Sequence, residues 1–384
     1  MSIEGKILYY SRINCNDPFR KGIVQKYRGI INGLKRLDWQ TDIVWYNEKG
    51  ILINDNLCYA FDFSEQSNAV KNIIFNHLHY DRIISRKVDF TEYEVFIVRY
   101  PLSHPGFIWL LRKAKKINPK LKVIVEVPTY PYKKEHNNLP RKIQQLLDQF
   151  FIPFLKFYVD LILHYGTFDS LFQIPSIGIR NGVDVPFIKP STSSPQKGTV
   201  RLLAVGNWNF WHGLERIILG MANFERLNYE GKNRVELTIV GGGREISFYK
   251  ELVDKNKLNT KVTFVSPTEG DALDQIFDAA DVGIGCLGMH RKNVVLDSSL
   301  KHRQYCARGL PFLLSTLDPD FPDTLPWVNY VEPSDEPIDI QRICNFFKGI
   351  DDKLILRKEI RKYAERNLDW SVKFKSVPVI GNNN

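Results

Sequence analysis

Cysteine is scarce and poorly placed for cross-linking. The five residues Cys15, Cys58, Cys286, Cys306 and Cys344 are scattered over 384 positions, odd in number and without any C-x-x-C spacing. That pattern excludes a disulfide scaffold and a ribbon-type zinc site, and suggests reduced thiols in a cytosolic protein. Long hydrophobic runs are missing too. A membrane-spanning helix needs roughly 20 apolar residues, and the best run, FFIPFLKFYVDLILHY, is interrupted by Lys156 and Asp160. The N-terminus carries no basic-then-apolar leader and runs straight into a strand. Compact catalytic signatures are absent as well, with no G-x-x-x-x-G-K-[ST], no H-E-x-x-H and no G-x-S-x-G. Gly283-x-Gly285-x-x-Gly288 matches the dinucleotide fingerprint in form only: no helix opens on it and no acidic residue follows about 20 positions on. The His77-x-His79 pair lacks a third metal ligand and reads as structural.

What is there is a soluble globular composition, 43% hydrophobic and 25% charged, in a chain long enough for two domains. The net charge of +10 is unevenly placed. Residues 1–190 hold 27 Lys and Arg against 18 Asp and Glu, and the remainder holds 26 against 25. A basic first half suggests an acidic partner, such as a membrane surface, a phosphorylated acceptor or nucleic acid, or simply a soluble basic face. Nucleic acid rests on charge alone, because no recognised binding motif accompanies it. Residues 133–158 place Lys133, Lys134, Arg141 and Lys142 ahead of Phe150, Phe151, Phe154, Phe157 and Tyr158. Such a stretch lies on a membrane interface or packs as an ordinary core helix.

In chain order the pattern alternates strand and helix. Strands are predicted at Lys6 to Tyr10, Thr41 to Tyr46, Glu94 to Tyr100, Leu121 to Val127, Asp160 to Tyr165 and Ser176 to Ile179, with an amphipathic helix from Ile23 to Leu37. Gly22, beside Lys21 and Lys26, opens that helix and is either a phosphate-holding loop glycine or a plain turn glycine. Glu126 stands at the carboxyl end of its strand, where it is a candidate to contact a reacting hydroxyl or else pairs with a neighbouring basic residue. VPFIKPSTSSPQKGTV reads as an interdomain linker. A second series then runs strand Arg201 to Val205, helix Leu214 to Phe224, strand Val235 to Val240, helix Glu245 to Asn256, strand Lys261 to Val265 and helix Ala272 to Ala279. Helices at Ile338 to Lys348 and Asp352 to Arg366 close the chain.

The most informative stretch is ADVGIGCLGMHRKNVVLDSSLKHRQYCARGLPFLLS. It predicts a strand at Val282 to Cys286, a loop carrying His290, Arg291 and Lys292, a helix from Ser299 to Arg308 stopped by Gly309, and a strand from Leu310 to Ser315. Ser298 and Ser299 are suitable N-caps. Lys301 and Arg303 sit in the first helical turn, where positive side chains oppose the macrodipole unless an anion, most simply a diphosphate, lies there. Asp318-Pro319-Asp320 has the D-x-D form, but in a late Pro-rich loop it reads as chance.

Several of these stretches occur in a recognisable order: the loop before Gly22, EVPTYPYKKE, IRNGVDV, AVGNWNFWHGLERII, LTIVGGG, VTFVSPTEGDALDQIFDAADVGIG, LKHRQYCARGLPF and NLDWS. Together they resemble a GT-B glycosyltransferase of the retaining, nucleotide-sugar-dependent type that builds bacterial surface polysaccharides. The resemblance implies an α/β fold of two Rossmann-like, doubly wound domains facing each other across a cleft. Residues 1–184 would hold the acceptor, 185–199 would link, 200–365 would hold the nucleotide sugar, and 366–384 would cross back to the first domain. It implies a nucleoside diphosphate sugar as donor and a saccharide or lipid-linked acceptor. It implies no cofactor, no metal ion and no nucleic acid, and a cytoplasmic protein at the inner face of an anionic membrane. Donor contacts are expected at Gly22, Gly206, Asn207, His212, Gly213, Val265, Ser299, Leu300, Lys301, Arg303 and Gln304, with Glu126, His290 and Arg291 as the catalytic set.

Departures are visible in the same frame. The usual Arg and Lys for the diphosphate correspond to Asn207 and His212, both weaker anion ligands. In the family's E-x7-E signature the second Glu corresponds to Gln304 and the first to Leu296, which holds no hydroxyl. His290, Arg291, Lys301 and Arg303 are the replacements at hand. A catalytically silent homologue that binds a nucleotide sugar or serves as a scaffold is the alternative.

Overall fold

The computed structural model describes residues 5–17, 21–61, 79–128, 130, 139–192, 196–227, 232–349 and 353–381. The chain forms two compact units, Met1–Arg180 with Trp370–Asn384, and Asn181–Asp369.

The first unit contains β1 (Lys6–Asn14), α1 (Lys21–Lys35), β2 (Gln40–Asn47), β3 (Gly50–Ile53), β4 (Asn56–Ala60), α2 (Tyr80–Lys87), β5 (Val95–Arg99), α3 (Pro105–Ile117), β6 (Lys122–Val127), α4 (Leu139–Leu155), β7 (Leu161–His164), β8 (Ser170–Leu171) and β9 (Ile174–Gly178). Its sheet runs β4-β3-β2-β1-β5-β6-β7-β9-β8. The strands from β2 through β7 to β9 are parallel, and β3, β4 and β8 add antiparallel edges. The pleat sends alternate residues of β1 to opposite faces. Leu8 and Tyr10 join a core with Tyr80, Phe107 and Leu110, while Ile7 and Tyr9 join one with Tyr27, Ile30 and Trp370. Both faces are therefore covered, as parallel sheets require. The closing helices α11 (Trp370–Lys375) and α12 (Pro378–Gly381) complete the second of these cores. Trp370 lies so close to α1 that a Cβ on Gly33 would stand 2.5 Å from its own Cβ.

The second unit contains β10 (Thr199–Trp208), α5 (Glu215–Arg226), β11 (Arg234–Gly243), α6 (Ile246–Lys255), β12 (Val262–Val265), α7 (Asp271–Asp278), β13 (Val282–Ile284), α8 (Leu300–Arg308), β14 (Phe312–Leu314), β15 (Val328–Tyr330), α9 (Ile340–Lys348) and α10 (Lys353–Asn367). All six strands are parallel, in the order β12-β11-β10-β13-β14-β15. Val200, Leu202 and Ala204 of β10 pack with Ile217, Tyr249 and Ile343 on one face. Leu203 on the other face meets Phe277, Tyr305 and Ile360.

Two expectations change. The Pro- and Ser-rich stretch after Asp184 goes with the second unit: Val185 is buried in its core, the Ser191 amide donates to Arg308 O at 2.8 Å, and Arg361 donates to Ile188 O and Val185 O. The predicted strand at Leu310 shrinks to Phe312–Leu314 because Gly309, at φ 75°, ends α8 in a left-handed turn. His77, Thr129, Lys133, Lys134 and the side chain of Arg141 lie outside the described residues.

Candidate functional site

The carboxyl edge of the second sheet is lined by backbone rather than side chains. Gly241 has φ 120°, and a Cβ there would stand 1.9 Å from Gly206 O. Gly213, at φ 64°, would place a Cβ 2.8 Å from the Gly288 amide nitrogen. Only glycine fits either position without moving the main chain, so the turns after β10, β11 and β13 crowd together at this edge. Arg216 fixes their spacing by donating to Leu287 O, Glu332 O and Glu336 O.

The first turn of α8 brings Lys301 to the same place. Its Nζ is buried and has no hydrogen-bond acceptor among the described residues. It lies 4.8 Å from the centroid of the fully buried Trp208 ring, and a Cβ on Gly206 would stand 3.3 Å from it. An ammonium over an indole face gains a cation–π attraction, yet it remains a charge removed from water without a counter-ion. Ser299 occupies the N-cap but its hydroxyl caps no amide, while Ser298 Oγ accepts the Asn181 amide at 2.9 Å. Leu300 and Gln304 are partly exposed on α8, and Val265 is partly buried at the end of β12.

Arg303, two residues along the same turn, has a different role. It is fully buried, and its guanidinium donates to both oxygens of Asp318, to Asp320 Oδ2 at 2.5 Å and to Asn181 O at 2.9 Å. Burial works against ionisation of Asp318, but Arg303 and His302 outweigh it and hold the carboxyl far below its ordinary range. The D-x-D carboxylates are thus the counter-ions of Arg303, and none of the three groups is free for an anion or a cation. Asn207 is exposed. His212 Nδ1 lies 3.0 Å from the Asn209 amide and accepts from it, which leaves the ring proton on Nε2. Burial, followed by repulsion from Lys301 and Lys292, pushes its pKa down to about 2, so it is a neutral donor. His290 and Arg291 converge on Asp335 at 3.0 and 2.7 Å, and Arg291 also reaches Glu215 and Phe210 O. The Arg291 charge is answered locally, and the two side chains pin the turn at Met289–Lys292.

In the first unit, Gly22 lies inside α1 with open space around it. Lys26, expected beside a phosphate, donates to Glu126 Oε1 at 2.9 Å. Glu126 is 2% exposed and also accepts from Tyr9, Tyr27 and Tyr165. Of its two readings, these surroundings carry the structural one. Burial raises the carboxyl pKa, but the charges of Lys26 and Arg99 and the phenol hydrogen bonds bring it down to about 2. Burial presses the Lys26 ammonium the other way, yet the ionised pair is the state in which every donor finds its acceptor.

No family model matches the chain, and no curated protein matches it either. Solved structures do, and they show the fold to be that of the GT-B glycosyltransferases. A glycosyltransferase from Rickettsia africae is 15% identical with a TM-score of 0.63, over 99% of each chain. Sucrose-phosphate synthase from Thermosynechococcus elongatus is 14% identical with a TM-score of 0.62, over 96% of each chain. HepE from Anabaena, solved with UDP and glucose, is 12% identical with a TM-score of 0.54, over 97% of this chain and 98% of that one.

The Glu126 pair makes a pH prediction. A carboxyl whose pKa falls from an ordinary 4.5 to about 2 on folding contributes stability that is present above pH 4.5 and lost as pH drops towards 2. Glu126→Gln removes that contribution, about 3 kcal/mol. Urea unfolding measured between pH 7 and pH 3 will show a flatter acid limb in the variant; parallel limbs would remove the pair from the stability account.

Proposed function

We propose that the protein transfers a sugar, with retention, from a nucleoside diphosphate sugar to a saccharide or lipid-linked acceptor, in polysaccharide or glycoconjugate biosynthesis. The observation that carries this is the Lys301 ammonium, buried without an acceptor at the carboxyl edge of a parallel sheet. Ligands of open α/β sheets bind at that edge. A diphosphate supplies the missing negative charge, and the uncapped N-terminus of α8 adds aligned amides. The UDP bound by HepE is the same chemical class of ligand. His212 Nε2–H and Gln304 add neutral hydrogen bonds, to a phosphate oxygen and to the ribose hydroxyls.

The negative charge that builds on the leaving diphosphate is then stabilised by Lys301 and the helix amides, donors fixed in place before the reaction. This chemistry asks for no D-x-D-held metal, since Asp318 and Asp320 are committed to Arg303. The acceptor hydroxyl attacks from the leaving-group face, so the anomeric configuration is kept.

A second reading, a silent homologue that binds the nucleotide sugar without turnover, is favoured by one observation. Leu296, in the position of the first signature Glu, is 44% exposed and offers no hydrogen bond. Donor binding without transfer across a panel of acceptors decides for it.

An exposed apolar stripe along α4 and just beyond it supports an acceptor taken at a membrane surface. Ile143, Leu146, Leu147, Phe150, Phe154 and Phe157 recur at helical spacing, and all are exposed, Leu146, Phe150 and Phe157 by about two thirds. Lys142 and Lys156 flank the stripe. An apolar face bordered by lysines, in the half of the chain with the positive excess, suits an anionic bilayer interface. Leu146→Asp with Phe150→Asp will abolish co-sedimentation with vesicles containing phosphatidylglycerol while leaving the melting temperature within a few degrees. Undiminished co-sedimentation would dismiss the stripe.

For the donor site, Lys301→Met separates ligand binding from folding. Removing a buried unpaired charge leaves the ligand-free melting temperature unchanged or higher. The wild type gains about 2.7 kcal/mol of native stability at a ligand concentration of 100 Kd, and the variant loses that gain for UDP and other nucleoside diphosphates alike. A variant still stabilised as strongly as the wild type would rule out Lys301 as the phosphate ligand.

A further inference from the structure

Beneath Lys301, three side chains that the donor reading does not use meet at the end of β13. Cys286, Asp297 and His302 each bring one ligand atom to within 4.8 Å of the others. They come from three segments, the strand end, the loop before α8 and the first turn of α8. Their spacing in sequence follows no metal motif, which is why only the fold brings them into view.

Each presents an atom with unsatisfied capacity. Asp297 Oδ1 accepts the Ser298 amide at 2.8 Å, but its Oδ2 is buried and meets no donor. His302 is fully buried and stacked on Phe312, with ring centroids 5.7 Å apart and planes at 10°. Its Nδ1 lies 3.1 Å from Asp318 Oδ2, which places the ring proton there and makes Nε2 the accepting nitrogen. The Cys286 amide reaches Nε2 only at 3.4 Å, at the long limit for a hydrogen bond. The buried Cys286 thiol has the Ser299 hydroxyl at 3.9 Å and the Lys301 ammonium beside it, and a thiolate there is the charge that ammonium favours.

We propose that Cys286, Asp297 and His302 form a site for a single transition-metal dication of the zinc class, which ties the 285–299 loop to α8. Sulfur, nitrogen and one carboxylate oxygen form a donor set suited to zinc and its relatives, whereas magnesium and calcium prefer oxygen alone. The imidazole handing its second nitrogen to a carboxylate is the usual outer arrangement of a metal-bound histidine. The charges close as well: a thiolate and a carboxylate offset the dication, so Lys301 keeps its charge for the diphosphate. Tetrahedral ligands stand about 3.5 Å apart, so binding draws the three side chains together by about an ångström. The Ser299 hydroxyl or water takes the fourth position. The site anchors the segment carrying Lys301, and it stands independently of what Lys301 binds.

The test uses the full-length protein, stripped with a chelator and titrated with Co2+ in the absence of any nucleotide. One equivalent is taken up, with visible bands of a tetrahedral ion and a near-ultraviolet thiolate-to-cobalt band, and Zn2+ displaces it. Cys286→Ser loses the thiolate band, and Asp297→Asn weakens uptake by about tenfold to a hundredfold. Cys15→Ser, at a half-buried thiol of the first unit, leaves the spectrum unchanged. Should Cys286→Ser fail to fold, the partly exposed Asp297 variant still decides the matter. No uptake by the wild type, or uptake with the same affinity and spectrum in Asp297→Asn, overturns the proposal. Either result leaves the nucleotide measurement with Lys301→Met unaffected.

Discussion

A buried charge must be answered, and the second unit leaves the one on Lys301 to be answered from outside. Elsewhere the fold observes the rule closely. Asp281 takes Arg201 through two hydrogen bonds, Arg303 takes Asp318 and Asp320, and Arg216 spends its donors on three carbonyls. In the first unit Arg12 meets Asp81 at 2.6 Å and Lys26 meets Glu126 at 2.9 Å. Pairs of this kind add modest net stability because desolvation offsets their attraction, but losing one partner is costly. Lys301 has the Trp208 ring and the Cys286 thiol beside it, but no carboxylate or carbonyl acceptor among the described residues. Those arginines and Lys26 all find oxygen acceptors, and Lys301, beside a glycine edge, is where we propose that the diphosphate binds.

The surrounding geometry follows from that position. Gly206 leaves room for the ammonium, while Gly213 and Gly241 let the neighbouring backbone segments pack against Gly288 and Gly206. Arg303 and its two aspartates lock the far side of α8, and Arg291 with Asp335 holds the turn before it. Lys301 therefore sits on a helix whose neighbours are fixed by charge pairs, which keeps a long flexible side chain in one place. The neutral state of His212 fits the same logic, since protonation would set an uncompensated charge beside Lys301.

Much of this was legible in the sequence, and the limits are physical. Buried parallel strands announce themselves as apolar runs, so β1, β5, β6, β7, β10, β11 and β12 fall within a few residues of their predicted places. The β3–β4 hairpin and the edge strand β15 did not stand out, being short, partly exposed and dependent on neighbours for their pairing. The helix around Lys301 was readable from its cap and its stopping glycine. What periodicity could not supply was which first-turn cation was free. Arg303 and Lys301 look alike in sequence, and the aspartates that claim Arg303 lie 15 and 17 positions away. The same holds for Glu126, whose partners lie 39 to 117 positions distant. Nor did the phenylalanines of α4 declare in advance that they face outward, because core and membrane faces share one period.

The most direct test of the central claim is a crystal structure with a nucleoside diphosphate bound. The account predicts a phosphate oxygen within about 3 Å of Lys301 Nζ, a charge-assisted hydrogen bond, with the diphosphate at the start of α8. A diphosphate bound elsewhere, with the Lys301 ammonium still facing only Trp208, would contradict it.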